Sequence, residues 1–356
     1  GLLPAPSAYS PISGNIKYAK QRQKTVLTRM VNNGAITEQQ KQDAINTQLS
    51  YAPKVSPQDK SPAPHFVEMV MSDLYKKYDE ETLTRSGFQI TTSLDLNMQR
   101  ELQQMVSNNM RSIRLNGGSN ASAIAIDPKT GGVRAMVGSY DWNDEKFGKV
   151  NMVTARRQPG SSFKPIYYAG ALAEGVIAPA TIFQDKPTDF GGGYQPLNAD
   201  KRWHGSVTTR RAISWSLNIP SVEIMKKFGI SKSVQTANNL GISSITQATG
   251  EKNGLSLALG SGEASLTQMT NAYAAFGNQG QQFELGLIEQ VNDKYNKKVS
   301  WPNATSKRAI SEGGAYLISN ILSDNSARAS VFGSTLTVPG HTAAVKTGTT
   351  NDNKDA

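Results

Sequence analysis

Arg157-Gln-Pro-Gly-Ser-Ser-Phe-Lys-Pro165 is the stretch on which the reading of the fold turns. It holds the only Ser-x-x-Lys of the 356-residue chain, at Ser161 and Lys164. Proline is tolerated in a first helical turn, so a helix is expected to begin here with Ser161 at its N-terminus. Lys164, three residues on, then returns to the same face. A serine hydroxyl is a weak nucleophile until a base takes its proton, and a desolvated lysine can be that base. The tetrapeptide alone is also what an ordinary capped helix start looks like, so its neighbours decide its meaning.

Downstream, Ser216-Leu217-Asn218 lies in a stretch that reads as helical from Val207 to Phe228. A hydroxyl and an amide two residues apart can relay a proton and orient a carbonyl. Ser13-Gly-Asn15, Ser107-Asn-Asn109 and Ser323-Asp-Asn325 share the pattern and read as caps or turns. Lys346-Thr347-Gly348-Thr349 ends an apolar strand expected near Ala343 to Thr347, where a peptide could pair with the backbone and a carboxylate meet lysine and hydroxyls. Lys129-Thr130-Gly131 repeats three of those letters, but it sits in the turn of a hairpin expected between Ala121 and Val137.

Helices are expected at Ala19 to Val31, from a Thr37 cap to about Leu49, at Phe66 to Tyr78, at Leu96 to Met110, at Pro165 to Glu174 and at Leu266 to Gly277, and a strand at Gly87 to Leu94. Gln40 stands where a capping box with Thr37 needs it. Four prolines between Tyr51 and Pro64 read as an exposed linker. Strands at both ends with helices between give an α+β class: one antiparallel sheet flanked by helices, with a helical subdomain.

Composition removes several functions. Without cysteine there is no disulfide, thiol nucleophile or thiolate metal site. His65, His204 and His341 stand far apart, so no metal site is expected. The net charge of +10 is spread along the chain, which argues against nucleic acid as a partner. No stretch is apolar enough to span a bilayer.

Ser-x-x-Lys, Ser-x-Asn and Lys-Thr-Gly in that order are shared by serine β-lactamases and penicillin-binding proteins. With Leu259-Gly-Ser-Gly-Glu-Ala-Ser-Leu-Thr267 and Asn271-Ala-Tyr-Ala-Ala-Phe-Gly277, the chain resembles a class A penicillin-binding protein throughout. The resemblance implies a penicillin-binding/β-lactamase-like fold at 118–356, C-terminally incomplete. It also implies an α/β interdomain linker at 53–117, and at 1–52 the helical tail of a lysozyme-like glycosyltransferase domain whose catalytic residues lie before Gly1. By resemblance Ser161, Lys164, Ser216, Asn218 and Lys346 are catalytic, and Thr347, Gly348 and Thr349 bind substrate. The implied activity is D,D-transpeptidation of peptidoglycan stem peptides at the outer face of the cytoplasmic membrane, through a serine acyl-enzyme that β-lactams also form. No cofactor is implied; an N-terminal membrane anchor outside this chain and other cell-wall synthesis proteins are. A D,D-carboxypeptidase, a serine β-lactamase, a non-catalytic wall-binding scaffold and a basic nucleic-acid binder are the competing readings.

Overall fold

A computed structural model describes residues 3–11, 14–49, 60–350 and 355. The Tyr51 to Pro64 linker expectation falls mostly outside those residues, as does Ser13. The chain divides into two compact units, Gly1–Ser61 and Pro62–Ala356. In the first, helices run over Pro6–Tyr9, Ile16–Asn32 and Glu38–Asn46, and none buries a residue. The Thr37 capping box forms as expected: Gln40 N donates to Thr37 Oγ1 at 3.2 Å and Thr37 N to Gln40 Oε1 at 2.8 Å.

In the second unit the helix Pro64–Tyr75 and the hairpin Ala123–Ile126/Val133–Val137 share one apolar cluster with Leu287, Ile288 and Val291. Gln89–Thr92 pairs antiparallel with Ile288–Asn292, which also pairs with Lys298–Val299. Gln99, on the helix Leu96–Leu115, imitates a strand neighbour: its amide donates to Met136 O at 3.0 Å and accepts from Met136 N at 2.7 Å. The strands are antiparallel as expected, but among the described residues they lie in one three-stranded sheet and several pairs instead of a single sheet.

The larger core surrounds the helix Lys164–Ala173. Its sequence is apolar on nearly every face, the mark of a helix buried all round, and Ile166, Tyr167, Tyr168, Ala169 and Ala171 are fully enclosed. Each buried aromatic contributes roughly 2–3 kcal/mol of burial free energy. Helices Asn218–Phe228, Ile230–Asn239, Leu266–Gly277 and Glu312–Leu322 pack around it.

Three local expectations need correction. The stretch from Val207 to Phe228 is not one helix: Gly205–Thr208 pairs as a strand with Ile182–Asp185, a short helix Thr209–Ser214 follows, and the chain breaks before Asn218–Phe228. Ser216 sits in that break at φ +60°, left-handed backbone that non-glycine residues seldom adopt. Ala343 to Thr347 is extended but not a strand, because Val345 N donates to Leu322 O at a helix end instead of to a strand neighbour. The α-helix begins at Lys164, close to the Pro165 to Glu174 expectation, but Ser161 precedes it in the 3-10 turn Gly160–Phe163 instead of standing at its N-terminus.

Candidate active site

Lys164 opens the most enclosed helix of the molecule, and its own side chain is fully buried. A buried ammonium must find partners or lose its proton. Its Nζ meets three oxygens: Ser216 O at 2.7 Å, Leu217 O at 3.2 Å and Asn218 Oδ1 at 2.7 Å. The break at Ser216 explains two of them. A continuous helix would turn the 216 and 217 carbonyls along its axis, whereas the left-handed residue turns them onto Lys164. Backbone strain of this kind gathers at functional sites.

Lys346 approaches from the far side of Ser216, donating from Nζ to Ser216 Oγ at 2.8 Å and to its neighbour Thr347 O at 2.8 Å. Burial lowers the Lys346 ammonium to about 7. Lys164 lies well below the ordinary lysine value, by burial first and then by the nearby charge of Lys346. Burial thus pushes both amines down, and the charge of Lys346 disfavours a second charge on Lys164.

The 346–349 segment lies directly on the turn that carries Ser161. A Cβ on Gly348 would stand 2.6 Å from Pro159 O, and one on Gly160 would stand 2.3 Å from Thr349 O. On the other side, a Cβ on Gly260 would reach 2.1 Å from Gly160 O. Three backbones thus stack without room for a methyl group, and Gly160 and Gly260 also hold φ of +55° and +78°.

The segments that carry the eight expected residues meet: hydrogen bonds join Lys164, Ser216, Asn218 and Lys346, and the backbone at Gly348 and Thr349 lies against the turn that carries Ser161. Among the described residues the hydroxyls of Ser161, Thr347 and Thr349 make no hydrogen bond, nor does the Thr349 N–H, so each is available to a ligand. By contrast Ser162 Oγ is committed to Pro159 O at 2.6 Å. The competing motifs are elsewhere: Lys129 to Gly131 form the hairpin turn, Ser107 lies inside a helix, and Asp324 between Ser323 and Asn325 caps one. The histidines do not join the site either: His65 is buried edge-on to Trp142 and His204 bonds Asp200.

Sequence reasoning missed several supports. Tyr273 Oη donates to Ser162 O at 2.7 Å, bracing the turn, and its segment had been read without a role for the hydroxyl. Tyr168 Oη and Ser221 Oγ lie 2.8 Å apart, and Ser221 Oγ donates to Leu217 O at 2.6 Å, tying two helices beneath Lys164. Asn198, in the loop after the Ile182–Asp185 strand, accepts Asn218 N on Oδ1 at 2.8 Å. A positive φ at Gly260 is the kind of requirement a Gly-Ser-Gly run announces; the others carry no periodic signal.

Residues 121–356 match the model of the penicillin-binding protein transpeptidase domain. The whole chain aligns with penicillin-binding protein 1A of Neisseria meningitidis at 29% identity, covering 58% of that relative. Of the chain, 90% aligns with penicillin-binding protein 2D of Bacillus subtilis at 31% identity, covering 46% of it. The chain thus spans about half the length of the curated relatives it matches. Among solved structures it resembles penicillin-binding protein 1A from Haemophilus influenzae, with a TM-score of 0.67 at 20% identity over 91% of this chain and 66% of that one. It also resembles PonA1 from Mycobacterium tuberculosis in complex with penicillin V, with a TM-score of 0.64 at 22% identity over 80% and 75%.

Proposed function

Since this chain belongs to the penicillin-binding protein transpeptidase family, we propose that it is a peptidoglycan D,D-transpeptidase that works through an acyl-enzyme on Ser161. The observation that carries the reading is the Lys164 amine held by Ser216 O, Leu217 O and Asn218 Oδ1, with Lys346 on the hydroxyl of the same serine.

On this reading Lys164 acts as the base: once neutral it keeps two N–H donors for the oxygens around it, and its lone pair takes the Ser161 proton. Ser161 Oγ then attacks the penultimate carbonyl of a stem peptide ending in D-Ala-D-Ala. The Ser161 and Thr349 N–H groups stabilise the oxyanion. As the C–N bond breaks, charged Lys346 passes a proton through Ser216 Oγ to the departing amine, and the proton gained by Lys164 later restores the pair. Asn218 orients the peptide, and Thr347 and Thr349 hold its terminal carboxylate beside Lys346. An amine of a second stem peptide attacks the ester and frees Ser161 with a new crosslink. A β-lactam enters by the same route but leaves a slowly hydrolysed ester.

Residues 1–52 are assigned to the tail of a glycosyltransferase domain of the same polypeptide, supported by the alignment of the whole chain with penicillin-binding protein 1A. Among the described residues no helix is long and apolar enough to cross a membrane. In the proposed function the transpeptidase unit works at the outer face of the cytoplasmic membrane.

Incubation with benzylpenicillin followed by intact-mass measurement tests the reading. One acyl adduct is expected, mapping to the peptide that contains Ser161; unchanged mass, or an adduct elsewhere, sinks it. Rapid turnover of the drug without accumulation would favour the β-lactamase alternative. The pH profile follows from the two lysines. The base must be neutral and the acid charged, so acylation of free enzyme should rise as Lys164 loses its proton and fall as Lys346 loses its own at about 7. A quench-flow rate that keeps climbing above about pH 9 would remove Lys346 from the acid role.

A further inference from the structure

Asn218 cannot set its own orientation. Leu217, at the N-cap of the helix Asn218–Phe228, makes no side-chain capping bond, so the cap comes from Asn198, 20 residues upstream in the chain. Asn198 is 4% exposed and Asp185 is 0% exposed, two polar side chains enclosed side by side. Asn198 Nδ2 donates to Asp185 Oδ1 at 3.0 Å, to Asp185 Oδ2 at 2.8 Å and to Arg202 O at 2.8 Å. The second carboxyl oxygen also accepts His204 N at 2.9 Å.

Both Asp185 carboxyl oxygens accept, so the Asn198 amide must turn its NH₂ toward them. That leaves Asn198 Oδ1 one direction, toward Asn218 N. The adjoining Leu197 O takes Asn218 Nδ2 at 2.7 Å, which in turn aims Asn218 Oδ1 at Lys164. Asp185 is itself fixed, since it ends the strand Ile182–Asp185 opposite Gly205. The chain of orientation therefore runs Asp185, Asn198, Asn218, Lys164, each link a hydrogen bond of 3.0 Å or less.

We propose that Asp185 and Asn198 are positioning residues for the acylation site: the Asp185 carboxyl fixes the amide of Asn198, which fixes the first residue of the helix bearing Asn218 and hence the oxygens around Lys164. The assignment rests on the transpeptidase reading above. Neither residue touches the substrate in it; both act through Asn218.

Stopped-flow acylation by a fluorescent penicillin separates initial affinity from the acylation step. Asn198→Asp sets two carboxyls face to face and should slow the acylation step about tenfold while affinity moves less. Asp185→Asn alone frees the Asn198 amide to flip and should slow the same step. The double variant D185N/N198D restores a donor opposite an acceptor and returns an oxygen to Asn218 N but leaves Arg202 O without its donor, so it should recover part of the lost rate. Singles that acylate at the wild-type rate, or losses the double variant does not recover, overturn the inference. If Asn198→Asp does not fold, Asp185→Asn alone decides by the same acylation-step readout, with an unchanged rate overturning the inference. Wild-type protein that takes up no penicillin on Ser161 overturns this inference and the transpeptidase reading together; an acylated wild type with indifferent variants overturns this one only.

Discussion

Ser161→Ala protein incubated with a fluorescent penicillin carries no label, while its melting temperature stays near that of the parent. The loss is complete because the adduct is an ester of Oγ, and without that oxygen there is no bond to form. Stability is spared because the hydroxyl makes no hydrogen bond among the described residues, so its removal leaves no partner orphaned. The same experiment on Lys164 is harder to interpret. Lys164→Ala removes the proposed base, an expected loss of about 10²- to 10⁴-fold in general-base catalysis, but it also opens a cavity and strands three oxygens that now share one donor. Gel fluorescence and a thermal melt on Ser161→Ala give the cleaner answer. Residual label on that variant would reassign the nucleophile.

Gly160→Ala is expected to damage both fold and function. Left-handed backbone costs an L-residue roughly 1–2 kcal/mol, and forcing a methyl group into packed backbone costs about 1–3 kcal/mol more. The new Cβ would press on Thr349 O, displacing the segment that presents the Thr349 N–H. A melting temperature lower by on the order of 5–10 °C is expected, with acylation slowed beyond what the remaining folded fraction explains. Gly260→Ala, pressing on Gly160 O, should behave alike. Gly175 provides the control: its φ is +70° but nothing lies within 4 Å of its would-be Cβ. Gly175→Ala therefore reports the backbone cost alone, and a Gly160→Ala protein that melts no lower would show that the backbones do not need to touch.

The parts of the molecule legible in the sequence were those fixed by neighbours along the chain. Thr37 and Gln40 are three residues apart and cap each other with no help from elsewhere. Ser161 and Lys164 are joined by a single turn, and the Ala123 to Val137 hairpin closes on its own glycines. What was misread depends on distant partners. Val207 looked helical because its pairing with Phe183 is invisible in either segment alone. Ser216 looked helical because nothing local demands a positive φ; the demand comes from Lys164. Asp185 and Asn198 carried no signal, since a carboxyl at a strand end and an amide in the loop beyond it resemble solvated turn residues until their burial against each other is known.

The three site segments meet across long reaches of sequence: Lys164 to Asn218 spans 54 residues and Ser216 to Lys346 spans 130. Contacts of such separation pay for loop closure before they return anything, so they form late. The Ser161 turn and the Ser216 break can pack together before Lys346, 130 residues beyond Ser216, docks against them. Until it arrives, Ser216 Oγ has no cation and the Ser161 turn has no covering backbone. The order of assembly thus acts as a safeguard: a chain whose Lys346 segment has not docked lacks the acid that the proposed mechanism requires.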